Sequence, residues 1–163
     1  MPHNEKLEGK VIDFKKRIID IDFMYKTIKK AIVDEGYMFV EKKQEGKIDQ
    51  YGEVANFEFL GNKRIDEFAL SNLKIEVELK NMNEINVKGK SMKKGDGQIK
   101  IGAVVEIDYK NKWGNDSLSE FFFKLYQRYL AKSKLEDKYY DVINDEDVVN
   151  IYNKIKKVLE FYV

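Results

Sequence analysis

The chain has 163 residues, of which 36% are charged, yet its formal net charge is only +1. The hydrophobic fraction of 43% is enough for one globular core and argues against a disordered protein. Balanced charge and only three arginines disfavour nucleic acid as a partner, and the absence of cysteine excludes disulfides and thiolate metal sites.

The N-terminal segment is polar and lacks the apolar core of a signal peptide. No apolar run approaches the roughly 20 residues that span a bilayer. The sequence therefore predicts a cytoplasmic protein without a membrane span. We expect one domain over residues 1–163, with a loose tail over residues 1–9.

The first predicted strand covers residues 11–19. Its apolar residues Ile12, Phe14 and Ile18 share one parity, as in a strand with one buried face. Lys16 interrupts that parity, so a helix that continues into the next segment is the alternative. We favour the strand.

A helix is predicted over Phe23–Glu35. Asp20 or Asp22 can cap its N-terminus, and Gly36 can end it in the left-handed conformation. Its apolar stripe consists of Met24, Ile28, Ala31 and Ile32. These residues lie on one helical face, which must pack against an apolar surface.

Three glycine-containing stretches are predicted to reverse the chain between strands. A strand from Tyr37 is expected to end at Glu45-Gly46, because glycine is a common turn residue. A second strand from Tyr51 is expected to end at Gly61-Asn62. Lys93–Gly97 is the strongest turn signal in the chain, since it combines two glycines with an aspartate.

Residues 64–80 are predicted to form a long extended segment. Four apolar residues alternate there with charged residues; they are Leu73, Ile75, Val77 and Leu79. Phe68 and Leu70 have the opposite parity, which predicts a bulge near Ser71-Asn72. Ile85 and Val87 indicate a separate short strand.

The clearest strand pattern covers residues 99–110. The odd-numbered residues are the apolar set: Ile99, Ile101, Ala103, Val105, Ile107 and Tyr109. This alternation predicts an antiparallel strand with one buried face. Gly102 indicates a bulge or the close approach of another element.

An amphipathic helix is predicted over residues 117–131. Ser117 and Glu120 have the spacing of a capping box at its start. Its stripe consists of Leu118, Phe121, Phe122, Leu125, Tyr129 and Leu130. We expect this face to cover the odd-numbered face of the preceding strand.

Two further helical stripes are predicted near the C-terminus. The first consists of Leu135, Tyr139 and Val142. Asn144–Asp147 is expected to start the last helix, because acidic residues favour the positive end of the helix dipole. The second stripe then follows, and it consists of Val148, Tyr152, Ile155, Leu159 and Tyr162.

The predicted fold class is α+β. It consists of an antiparallel sheet of about five to six strands, on which an N-terminal helix and two to three C-terminal helices pack. This order resembles the helix-grip domains of the START type, in which a curved sheet wraps a C-terminal helix around a cavity. The resemblance concerns element order only and transfers no binding residue.

A second resemblance rests on Asp108-Tyr109, Lys112-Trp113-Gly114 and the later Phe122, Tyr126 and Tyr129. These residues resemble the C-terminal part of small uncharacterised archaeal proteins. The resemblance covers the last third of the chain and implies no activity.

Two sets of side chains are candidate binding sites. The aromatic set could line a pocket for an apolar or aromatic small molecule; it consists of Tyr109, Trp113, Phe122, Tyr126 and Tyr129. Packing in the core is the alternative for these residues. The lysine set could contact an anion; it consists of Lys88, Lys90, Lys93 and Lys94. A solvated hairpin tip is the favoured alternative there.

No catalytic constellation is recognised. His3, the only histidine, lies in the polar tail. Gly89-Lys90-Ser91 lacks the preceding glycine of a phosphate-binding loop, since Glu84 occupies that position. We therefore predict no catalytic residue, no metal site and no cofactor, and we favour a protein that is not an enzyme.

Two functional hypotheses follow. The first is a binding module that holds an apolar ligand between the sheet and a C-terminal helix. The alternative is a structural or interaction protein that acts in a homo-oligomer or with a protein partner. Its basis is the contrast between the lysines at 88–94 and the acidic residues at 136–147.

Overall fold

The computed structural model describes residues 3–50, 52–66, 68–107, 121 and 139–160. The fold class is α+β, as predicted, with a six-stranded antiparallel sheet. The strands are β1 (His3–Lys6), β2 (Lys10–Ile19), β3 (Met38–Asp49), β4 (Gly52–Arg64), β5 (Ala69–Val87) and β6 (Lys90–Ile107). The α-helices among the described residues are α1 (Ile21–Asp34) and α2 (Val149–Glu160).

The sheet has the order β1-β6-β5-β4-β3, and β2 also pairs with β6. β1 and β2 lie end to end along β6, since β1 pairs with residues 104–107 and β2 with residues 93–101. Between them Gly9 has a φ of +78°, and a Cβ atom there would lie 2.5 Å from the Ile101 carbonyl oxygen. The segment that was predicted to be a loose tail therefore contains a paired strand.

One face of the sheet is buried and the other is largely polar. In β5 the apolar residues of the predicted alternation are buried, whereas the charged residues between them are exposed. In β6 the predicted odd-numbered face is buried from Ile99 to Ile107. Helices α1 and α2 pack against each other, and their apolar residues join the same core. Burial of each large apolar side chain contributes about 1.5–3 kcal/mol.

Helix α1 confirms the predicted caps and stripe. The Asp20 carboxylate accepts a hydrogen bond from the Phe23 backbone N–H at 3.2 Å. Gly36 has a φ of +88°, and the Tyr37 N–H donates to the Ile32 carbonyl oxygen, which is the Schellman arrangement. The buried residues are Met24, Ile28, Ala31 and Ile32.

Strand β2 is extended, so the strand interpretation of residues 11–19 is confirmed. Its pairing register with β6 shifts between Phe14 and Arg17, where Lys16 has a φ of +51°. This bulge inverts the parity of the strand. Ile19 is therefore buried, and Ile18 is only half-buried.

The predicted turns at Glu45-Gly46 and Gly61-Asn62 are wrong, because both pairs lie inside strands. The chain reverses between Asp49 and Gly52, which are register partners, so β3 and β4 are longer than predicted. Gly61 serves close packing, since a Cβ atom there would lie 2.9 Å from Ile32 Cγ2.

The predicted turn at Lys93–Gly97 is also wrong, because these residues lie inside β6. The hairpin turns at Lys88-Gly89, whose φ values of +51° and +83° suit a type I′ turn. The predicted separate strand at residues 85–87 is the end of β5. The expected bulge at Ser71-Asn72 is absent from β5, because its pairing with β6 is regular from Ala69 to Lys80.

Two bulges flank β6 at Asp96. In β2 the bulge lies at Lys16, and in β5 it lies near Asn81, which has a φ of +54°. Asp96 Oδ1 accepts from the Lys16 backbone N–H at 2.9 Å, and Oδ2 accepts from Asn81 Nδ2 at 3.0 Å. One carboxylate therefore joins the irregular segments of both neighbouring strands. Bulges bend strands and increase their twist, so the sheet changes direction here.

The glycines beside Asp96 make room for large side chains of the core. A Cβ atom on Gly97 would lie 2.5 Å from Phe14 Cζ and 2.8 Å from Leu79 Cδ2. A Cβ atom on Gly95 would lie 2.8 Å from Met82 Cγ. The two glycines of Lys93–Gly97 thus allow close packing of neighbouring side chains. Glycine is also the residue that tight turns favour, so the same composition suggested a turn.

Residues 139–160 form one continuous helical segment, in which Ile143–Val148 is a π-helical turn before α2. The predicted helix start at Asn144 is therefore wrong. Asn144 Oδ1 instead accepts from the Gly9 backbone N–H at 3.1 Å, which ties this turn to the sheet. The buried residues after Asp147 are Val148, Ile151, Ile155 and Leu159, and Tyr152 is half-buried.

The predicted helix over residues 117–131 lies outside the described residues except at Phe121. That residue is 60% exposed, although the predicted stripe includes it. Of the stripe predicted after this helix, Leu135 is outside the described residues, Tyr139 is buried and Val142 is 38% exposed. Of the predicted two to three C-terminal helices, the described part of the chain contains one α-helix with its π-helical turn.

The close packing at Gly97 and the open space at Gly102 predict different effects of the same substitution. Gly97→Ala is expected to destabilise the protein by about 1–3 kcal/mol, because the new methyl group overlaps Phe14 and Leu79. Gly102→Ala, in the same strand, has no atom within 4 Å of the new Cβ and should change stability by less than about 0.5 kcal/mol. Urea unfolding of both variants beside the parent measures the difference. Equal effects would contradict the packing described for Gly97.

The Asp96 contacts predict a pH dependence. Hydrogen bonds from Asn81 and from the Lys16 N–H, together with nearby lysines, lower the pKa of the Asp96 carboxyl in the folded protein. Its contribution to stability is therefore complete above the unfolded pKa and is lost as the pH falls through the folded pKa. We expect the stability difference between the parent and Asp96→Asn to shrink below about pH 4. Thermal melts of both proteins across this range test it; a difference independent of pH would contradict the carboxylate contacts.

Candidate functional site

The predicted aromatic ligand site lies outside the described residues. Its members are Tyr109, Trp113, Phe122, Tyr126 and Tyr129. The ligand site at these residues stays a prediction.

The predicted lysine cluster is spread along the β5–β6 hairpin. Lys90 Nζ forms an ion pair with Asp20 Oδ2 at 2.5 Å and lowers the pKa of that carboxyl. Lys93 Nζ lies 3.0 Å from Glu53 and is half-buried. Lys88 lies in the turn, and Lys94 is exposed on β6. The lysines at positions 90 and 93 are therefore already paired with carboxylates of the same chain.

The described polar side chains that are most buried form a cluster that the sequence did not predict. We call it the Asp147 cluster; it comprises Tyr37, Lys63, Ser71 and Asp147. The Tyr37 hydroxyl donates to Asp147 Oδ2 at 3.0 Å and lies 2.8 Å from Ser71 Oγ. Lys63 Nζ lies 2.9 Å from Asp147 Oδ2 and 2.9 Å from the Glu35 carbonyl oxygen. Because the Tyr37 proton goes to the carboxylate, Ser71 donates to Tyr37.

The Asp147 cluster connects five parts of the fold. Glu35 follows the end of α1, Tyr37 precedes β3, Lys63 lies in β4, Ser71 lies in β5 and Asp147 lies in the π-helical turn. Lys63 also caps a free carbonyl group at the C-terminus of α1. The cluster therefore fixes the C-terminal helical segment against the sheet.

The chemistry of the Asp147 cluster is that of a closed hydrogen-bond network. Burial, with the neighbouring Asp147 carboxylate, raises the pKa of the Tyr37 hydroxyl above its ordinary range. Tyr37 therefore remains a neutral donor and cannot act as a base near neutral pH. Tyr37, Ser71 and Asp147 are buried, so a substrate would have to displace packed side chains to reach them.

The sequence contained signals that two members of the Asp147 cluster, Ser71 and Asp147, are buried. Ser71 has the parity of the buried apolar residues of β5, and Asp147 lies at helical spacing between Ile143 and Ile151. A polar residue on an apolar face is an informative exception, because it needs a buried partner. The helix-start interpretation explained Asp147 by the helix dipole instead and proposed no buried partner for it.

Several grooves lie on the outer face of the sheet, and they include two with polar residues in their lining. One, of about 380 Å³, includes Val11 and Gly102 in its lining. The other, of about 270 Å³, is lined partly by Glu58 and Glu76. Lys74 Nζ lies 2.9 Å from Glu58 and 3.0 Å from Glu76, so these carboxylates have a cationic partner within the sheet.

Strand β3 carries exposed apolar side chains along the edge of the sheet. Met38 is 62% exposed, Val40 is 44% exposed and Ile48 is 80% exposed. Within the described ranges, no strand pairs with the edge of β3 that faces away from β4. Long edge strands with apolar residues are sites at which another strand can add to a sheet.

No protein-family model matches the chain, and no curated protein matches it. No helix of the described residues is long and apolar enough to cross a membrane. Across the described ranges, no group of three or more histidine, aspartate or glutamate residues is arranged to hold a metal ion.

The Asp147 cluster predicts a large effect of one hydroxyl group. Tyr37→Phe should destabilise the protein by about 1–3 kcal/mol, because it removes the hydrogen-bond partner of the buried Ser71 and one of the two donors to Asp147 Oδ2. Tyr152→Phe is the control, since within the described part of the chain the Tyr152 hydroxyl makes no hydrogen bond. Chemical unfolding compares both with the parent; similar midpoints for the two variants would contradict the network.

Proposed function

We propose that the protein is a non-enzymatic interaction module that binds a partner strand along β3. The observation that carries this proposal is the 12-residue edge strand with exposed Met38, Val40 and Ile48. Backbone groups at such an edge can pair with a further strand, and side chains on both faces can select it.

The chemistry of the described polar groups favours interaction over catalysis. The buried polar residues hydrogen-bond to one another, and Lys90 and Lys93 are paired with carboxylates. The exposed apolar side chains of β3, which are Met38, Val40 and Ile48, are therefore expected to contact another molecule.

The helix-grip-like arrangement and its apolar ligand stay a prediction. They are supported by the pairing of the N-terminal strands with β6 and by the packing of α2 into the core on the buried face. The aromatic residues proposed for the ligand lie between positions 109 and 129, outside the described part. The interaction proposal does not depend on them.

Site-specific cross-linking tests the edge. A photoreactive amino acid in place of Ile48 should give a covalent adduct on irradiation in the source cells, since position 48 would face the added strand. The same amino acid in place of the exposed Lys26 on α1 is the control. Adducts at position 48 and not at position 26 are the expected result, whereas none at 48, or equal yields, would contradict the proposal.

A further inference from the structure

The end of β3 is complementary to a second copy of itself. Residues 43–49 read Lys-Gln-Glu-Gly-Lys-Ile-Asp. If two such segments pair antiparallel around Gly46, Glu45 of each copy stands opposite Lys47 of the other. In the same register residue 43, a lysine, stands opposite residue 49, an aspartate. We infer that the partner of β3 is a second copy of this chain, paired in this register; the inference rests on the proposed function of β3.

The faces of the strand agree with this register. Directly opposed residues of an antiparallel pair lie on the same face of the sheet. Glu45 pairs with Asn56 and Lys47 with Val54 inside the subunit, so Glu45 and Lys47 share one face. A two-fold axis perpendicular to the sheet at Gly46 therefore places the two symmetry-related contacts between Glu45 and Lys47 on that face and gives an isologous interface.

The two registers whose axis lies one residue away are electrostatically worse. An axis at Glu45 would set Glu45 against Glu45 and Lys43 against Lys47. An axis at Lys47 would set Lys47 against Lys47. Like charges directly opposite one another destabilise a strand pair. An axis at Gln44 would set Lys43 against Glu45, which is favourable in charge. It would, however, extend the pair into the register shift of β3 between Glu41 and Lys43, where alternation is lost.

The segment is accessible for this contact. All residues from Lys43 to Ile48 are exposed, and the only ion pair of Glu45 in the described part is with Lys43 at 3.4 Å, on the same strand. Gly46 has no side chain at the axis, so the two backbones can approach there. Opposed Gln44 and Ile48 would cover part of the side chain that is 80% exposed in the single subunit.

The expected assembly is a reversible dimer with one continuous sheet across the two subunits. Seven opposed residues give an interface below the size of stable dimers, so association should depend on protein concentration. Sedimentation velocity of the purified full chain over a concentration series measures it. A parent protein that stays monomeric up to millimolar concentration would overturn the inference.

Charge reversal tests the register. Glu45→Lys and Lys47→Glu should each weaken dimerisation by at least about tenfold, because each sets like charges opposite one another twice in the homodimer. An equimolar mixture of the two variants should dimerise as the parent does, since both contacts then pair lysine with glutamate. Glu146→Lys and Lys26→Glu, both exposed and outside β3, carry the same charge changes and should leave the dimer intact.

The outcomes separate this inference from the proposed function. Unaltered dimerisation of the single variants, or a mixture that stays monomeric, would overturn the register. A monomeric parent with a position-48 adduct to a different protein would overturn self-pairing and leave β3 as an interaction edge. A monomeric parent with no adduct would overturn both. Thermal melts should show the variants as stable as the parent, because both side chains are exposed.

Discussion

The Asp96 carboxylate holds three strands together at the point where two of them bulge. Lys16 and Asn81 both adopt positive φ values, which non-glycine residues rarely do, and each donates a hydrogen bond to this carboxylate. Gly95 and Gly97 on either side leave the space that Met82, Phe14 and Leu79 fill. The two bulges and the burial of these side chains therefore depend on one short segment.

The Asp147 cluster has a corresponding role between the layers. Apolar packing of α1 and α2 on the sheet is not directional, whereas the hydrogen bonds of Tyr37, Lys63 and Asp147 permit one position of the π-helical turn. With the core closed on this side, the exposed apolar residues Met38 and Ile48 are left at the β3 edge. This edge is where we propose that the protein contacts another molecule.

The candidate sites were only partly accessible to sequence reasoning. The lysine cluster was recognised, but the carboxylates that pair with Lys90 and Lys93 come from α1's N-cap and from β4, distant in sequence. Ser71 and Asp147 each broke an apolar pattern, yet their separation of 76 positions gave no reason to connect them. That β3 lies at the edge of the sheet could be recognised only from the strand order. The sequence of an edge strand with this composition does not differ from that of an internal strand.

The sequence by itself determined which face of α1, β5 and β6 is buried. The predicted buried faces of Leu73–Leu79 and of α1 were both correct. Burial of one side of a strand or helix imposes a spacing of apolar residues that is visible directly in the sequence. Only the tertiary structure decided what the glycines do. Gly61 and Gly97 resemble turn residues, but neighbouring strands and helices bring Ile32 and Phe14 against them. A missing side chain serves a turn and a close contact equally, and only the identity of the spatial neighbour distinguishes the two.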